Sequence, residues 1–250
     1  MRFYALIILS FSPVILGGCA RDLPLISHAH VGHALTVWRD TPNEEGLFAT
    51  AEKEAAIALQ QAYNATAAAN ATVARQHLAS VVRALDPERL AQGSVSGYGG
   101  IRALAGAASH LKYAAESDDA SRNIVRGSEV FVAQAVVVIE NFKLAVDVAV
   151  LAQQARDTEI SGLAAEAESL LNRAVNGSDF DGNGTIGNTA EETGLKQMRE
   201  QLAAMLRREN PPYHPVGRHY LLGLVQLPSG RWAYRFSSEQ SERHSYKDGY

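Results

Sequence analysis

Apolar residues return every three or four positions along most of this chain, and that spacing predicts helices. A long helical stretch is expected from Ala49 to Leu85, rich in Ala, Glu, Gln and Leu, which are good helix formers. Within it Leu78, Val81, Val82 and Leu85 form one apolar face. Asp86-Pro87 ends it, because the residue before proline avoids the helical region. The run from Gly93 to Gly100 is a flexible break, followed by a shorter helix over Ile101 to Ala115. Ser117-Asp118-Asp119 offers a turn and N-cap. Next comes the most apolar helix, about Ala120 to Arg156. Its Glu129, Glu140, Lys143 and Asp147 lie on one face. Each such charge costs roughly 2.5–3.5 kcal/mol at a bilayer centre, so this is the central helix of a bundle and not a membrane span. Ile160, Leu163, Ala164, Ala167, Leu171 and Ala174 mark another helix, and Leu195, Met198, Leu202 and Met205 mark a last one ending near Arg208.

The pattern changes at both ends. From Arg21 to Glu45 it is irregular. Near the other end Tyr220, Leu222 and Leu224 fall on alternate positions, as do Trp232, Tyr234 and Phe236, on either side of Pro228–Gly230. That is the period of a β-hairpin, which must dock on something because a lone hairpin is marginal in water. The tail after Ser237 is polar. The expected fold is mainly α: a helical bundle over 46–208, an N-terminal segment over 19–45, and a linker, hairpin and tail over 209–250.

Residues 1–18 stand outside that fold. Arg2 is followed by an apolar run from Phe3 to Leu16 and then by small residues, the layout of a secretory signal. Leu16-Gly17-Gly18-Cys19 resembles the lipobox of bacterial lipoproteins, and Cys19 is the single cysteine of the chain. The resemblance implies cleavage before Cys19 and acylation of its thiol and amine. Two or more acyl chains anchor firmly, since each buried CH₂ contributes about 0.8 kcal/mol. Ala20 after the cysteine, where that family's inner-membrane members carry Asp, implies the outer membrane facing the periplasm. The membrane, and a protein or other component of the cell envelope, are then the expected partners.

Between the last two helices runs Asp179-Phe180-Asp181-Gly182-Asn183-Gly184-Thr185-Ile186-Gly187. Hard oxygen ligands on alternate positions around a sharp turn suit calcium. Asp179, Asp181 and Asn183 supply side-chain oxygens, the Thr185 carbonyl a fourth, and Gly184 the positive φ. These nine residues resemble the start of an EF-hand loop. The twelfth position, where that family has a bidentate glutamate, is Ala190, and Glu191 and Glu192 come late. Either glutamate closes a lengthened loop spanning 179–192. Thr189 and Glu192 also have the spacing of a capping box, which would turn Glu192 toward its own backbone. Without a cation, Asp179 and Asp181 would repel each other on a tight turn. With the last ligand displaced, the expected affinity is weak, on the order of 10⁻⁴–10⁻³ M. No second loop is present to pair with, so Ile186 is expected to pack on the bundle.

Composition narrows the remaining options. At 46% hydrophobic and 20% charged residues the chain is globular, and a net charge of −4 argues against nucleic-acid binding. A lipidated single cysteine leaves no thiol for disulfides, Fe–S clusters or covalent haem. His28, His30 and His33 cluster after the anchor, with His30 and His33 on one face if that segment is helical. His77 and His110 lie in predicted helices. Inward histidines from different helices, with Glu52, Glu54 or Glu140, can hold a transition metal or haem iron. The plainer expectation for His77 and His110 is a polar core or boundary role. The glycines around Tyr98 lack the strand and Lys-Ser/Thr of a phosphate loop, and no nucleophile elbow or triad context occurs. The function expected is therefore that of a calcium-binding, lipid-anchored helical protein with a structural or binding role and no enzymatic activity. The alternative is a histidine-based transition-metal or haem carrier.

Overall fold

The computed structural model describes residues 25–89, 97–187 and 189–213, and the backbone of 224–226 and 232–234. The stretch ending at Cys19, expected from its lipobox resemblance to be acylated, and the polar tail lie outside the described residues.

Helices α2 (Leu47–Thr66), α3 (Ala71–Leu85), α4 (Gly100–Glu116), α5 (Arg122–Ala152) and α6 (Asp157–Asn176) form the bundle. Both α2 and α5 pack against α3, α4 and α6. The stretch expected to be one helix from 49 to 85 is two, because Asn70 caps a new start: its side chain accepts from Val73 N at 3.0 Å. Alanine-rich sequence favours continuing the helix. Breaking it lets the apolar faces of α2 and α3 bury against each other, and packing outweighs propensity. His77 and Gln61 bridge the pair at 2.8 Å. The alanines of α2, Ala51, Ala55, Ala58, Ala62 and Ala65, are all buried, so neighbouring helices approach closely. Larger side chains, among them Phe48, Leu78, Leu104, Phe131 and Phe142, fill the centre.

The longest helix, α5, keeps its charges outward: Glu129, Glu140, Lys143 and Asp147 are exposed. Among the described residues no helix is long and apolar enough to cross a membrane. Arg75 on α3 holds the far end of α5, donating to the carbonyls of Ala152 and Ala155 and pairing with Asp157 at 2.8 Å. The near end is capped by Ser121, whose hydroxyl accepts from Ile124 N, and not by Ser117, Asp118 or Asp119.

Two further helices flank the bundle. The segment expected to be irregular contains α1 (Ile26–Leu35), which lies on α4. Two of its polar-looking histidines, His30 and His33, are buried, which hid the helical period. Gly46 lets α2 start against α1, since a Cβ there would sit 2.2 Å from the Leu35 carbonyl carbon. Helix α7 (Leu195–Arg207) packs on α5 and α6. The C-terminal hairpin is not supported as an element of the fold: only Leu224–Gln226 and Trp232–Tyr234, three residues a side, pair antiparallel, and their neighbours lie outside the described residues.

Candidate functional site

Two groups of metal-ligating side chains converge among the described residues: His30, His33 and His110, and Asp179, Asp181 and Glu192. The acidic group is made by a loop with a closed neck. Helix α6 ends at Gly177, which has φ +77°, and a Cβ there would meet the Glu192 carbonyl at 2.4 Å. A Cβ on Gly194 would likewise sit 2.4 Å from Gly177 N, so the two sides of the neck pack backbone to backbone. Ser178 N donates to Glu192 O at 3.0 Å. Gln197 ties the same place together, accepting from Gly194 N and donating to Asn176 O, both at 3.0 Å.

Inside this loop the predicted ligands turn inward around Gly182 and Gly184, both at positive φ. Asp179 accepts from Asn183 N at 3.0 Å and Gly184 N at 2.8 Å. Asp181 accepts from the Asn183 backbone and side-chain nitrogens, and Asn183 from Thr185 N. The neck then decides between the two late glutamates. Glu192 is buried beside the aspartates, with its carboxylate within 4.8 Å of theirs, while Glu191 is exposed. Helix α7 begins at Leu195 with Gln197 in the capping position, so the Thr189–Glu192 capping box does not form and Glu192 stays with the loop. Ile186 does not enter the bundle; it is 47% exposed, and its side chain lies beside Gly177 at the neck.

The histidine group joins α1 to α4. His30 and His33, three residues apart, share the buried face of α1, and α4 presents His110 to them. Nδ1 of His30 lies 3.2 Å from Nδ1 of His110. Ring centres are 4.9 Å apart for His33 and His110 and 5.9 Å for His30 and His33. Trp38 covers His110 and His33 at 4.6 and 5.0 Å, and Tyr113 closes the side next to His30. Burial, and then repulsion from His110 and His30, pushes His33 down to about 3. Burial and the neighbouring His30 push His110 down to about 4. His30 is lowered by burial, partly opposed by the charge of Asp119. All three rings are therefore neutral at pH 7, the form in which imidazole binds metals.

The other candidates are placed elsewhere. His28 faces Glu209 at 3.4 Å and the Tyr213 ring. Glu209, itself buried, accepts from Ser121 Oγ and Asn123 Nδ2, so His28 belongs to a strut joining α1, α5 and the end of α7. His77 is engaged by Gln61. Glu52 pairs with Arg199, Glu54 accepts from Tyr98 N at 3.4 Å, and Glu140 points to solvent.

The chain matches no family model, no curated protein and no solved structure.

Its chemistry is therefore read from its own residues. Every member of both groups is a candidate in the sequence; the acidic ones share one loop there, with the choice of glutamate open, whereas the three histidines come together only in the fold. In the sequence Asp119 is part of a turn and N-cap before α5. Its carboxylate in fact accepts from Ile26 N at 2.5 Å and Ser27 N at 2.9 Å, capping α1 from 92–93 residues away. An acid just before a serine-capped helix start was the available signal, and nothing local pointed it toward residue 26.

Proposed function

We propose that this protein is a lipid-anchored component of the cell envelope, held to the outer membrane through Cys19 and facing the periplasm, whose helical bundle is stapled by one calcium ion. The observation that carries the calcium reading is the return of Glu192 to Asp179 and Asp181 across the Gly177–Gly194 neck. Three carboxylates on one small loop neutralise a divalent cation, and Asn183 and the Thr185 carbonyl add neutral oxygens of the type calcium takes. The Glu192 carboxylate spans the missing twelfth position. The resulting loop is longer than an EF-hand loop, since its exit helix begins only at Leu195.

The ion would tie the end of α6 to the start of α7. Weak affinity suits that role in a compartment outside the cytosol, where calcium is plentiful. At ten times the dissociation constant the bound ion stabilises the fold by about 1.4 kcal/mol. The test is heat denaturation of the full chain in detergent over a calcium series. Wild type should melt higher as calcium rises, Asp181→Ala and Glu192→Gln should lose the response, and Glu191→Gln should keep it. Superimposable wild-type curves with calcium and with chelator refute the proposal.

A further inference from the structure

We infer that His30, His33 and His110 form a second metal site, one that takes a divalent transition ion of the zinc class and leaves its remaining coordination to water or a small exogenous ligand. Distance supports this first. Tetrahedral zinc with Zn–N bonds of about 2.0–2.1 Å sets its ligand nitrogens about 3.3 Å apart. Nδ1 of His30 and Nδ1 of His110 are already 3.2 Å apart, and one nitrogen from each of the three rings lies within 4.8 Å of the others. The three rings together offer a three-nitrogen face.

Donor type selects the ion. Imidazole nitrogen suits zinc, copper, nickel and iron, whereas calcium and magnesium take oxygen. Thus the two clusters of this chain call for different metals. No carboxylate or thiol of the described residues joins the three nitrogens. Three protein ligands plus an open position is the pattern of exchangeable or reactive zinc sites, as against closed four-ligand structural ones. The open side has a route outward, since His30 retains 9% exposure and neighbouring Tyr113 is 41% exposed.

The surroundings suit a resident dication. Trp38 and Tyr113 surround the rings and limit water. Asp119, which acts electrostatically on His30, adds a nearby negative charge against an ion whose three ligands are neutral. The site also has a mechanical consequence. Because two ligands sit on α1 and one on α4, the ion would cross-link α1, the first helix among the described residues, to the bundle.

The experiment is a titration of the full chain, in detergent and free of metal, with cobalt(II) as a spectroscopic stand-in for zinc. One equivalent should give visible ligand-field bands that zinc then displaces. His33→Gln and His110→Gln should each weaken binding by more than the roughly 100-fold lost with an outer-shell partner. Asp181→Ala should leave the bands in place, which separates this site from the calcium loop. Should the histidine variants fail to fold, ring ¹⁵N spectra of the wild type with zinc decide: shifts at His30, His33 and His110, with His28 and His77 unmoved, support the site. Absence of one-equivalent binding by wild type overturns the proposal, as do bands that survive both histidine substitutions or vanish with Asp181→Ala.

Discussion

Replacing Asp119 with alanine tests how α1 is held, and with it the two histidines that α1 contributes. The residue before α1, Leu25, offers no side-chain cap. The free N–H groups of Ile26 and Ser27 are instead satisfied by the Asp119 carboxylate at 2.5 and 2.9 Å. Desolvation pushes that carboxyl up, but the bonds from Ser27 and Ile26 outweigh it and hold its pKa below the ordinary aspartate value. Loss of an N-cap costs about 0.5–2 kcal/mol, and loss of a negative charge at a helix N-terminus about 0.3–1 kcal/mol more when exposed. Because Asp119 is only partly buried, a total of about 1–2 kcal/mol is expected. That corresponds to a roughly 5–30-fold change in an opening equilibrium. Hydrogen exchange followed by mass spectrometry reads it directly: amides of Ile26–Leu35 should exchange faster by about that factor in Asp119→Ala. Asp119→Asn, which keeps an acceptor, should fall between. Amides of α5 and α6 should change much less. Unchanged exchange across α1 in the alanine variant would show that the cap does not hold the helix, and the reasoning would fail.

Acid should destabilise the metal-free protein through the same cluster. Folded His33 and His110 are held at about 3 and about 4, while unfolded histidine takes up its proton near 6.5. Between those values the unfolded chain binds more protons, so their contribution is fully present above pH 6.5 and is lost as pH falls toward 4. From pH 6.5 to 4.5 this amounts to about 2 kcal/mol per ring. Denaturant titrations in chelator over pH 4.5–7.5 should show a steep wild-type slope that is shallower in His33→Gln; equal slopes would remove the histidines as its source. Near the N-terminus, Cys19→Ser should release the protein from membranes into the soluble envelope fraction, and retention in the membrane fraction would rule out lipidation as the anchor.

Much of this protein is legible along the chain because its determinants are local. The apolar period placed α4, α5, α6 and α7 within a few residues, the charges on α5 marked its solvent face, and proline after Asp86 ended α3. The inward turn of the Asp179–Thr185 segment is equally local, since glycine at positions 182 and 184 and short acidic side chains suffice to fold it. Periodicity failed where side chains met unexpected surroundings. Histidine reads as polar, so α1 looked irregular although Ser27, His30 and His33 are buried. Alanine reads as uninterrupted helix, so the turn at Asn70 was invisible until α2 and α3 had each other to pack on.

The choice of partners belongs to the tertiary structure. Glu191 and Glu192 are neighbours of the same chemistry, and the backbone contact at Gly177 and Gly194 sends one inward and leaves the other in solvent. Five histidines looked alike as candidate ligands. Docking of α1 on α4 gathers three of them, while Glu209 takes His28 and Gln61 takes His77. Residue types and spacing set which atoms this chain has for binding metals and which helices carry them. Only the packing of those helices brings ring nitrogens eighty residues apart to 3.2 Å, because convergence depends on how faces meet and not on any order along the sequence.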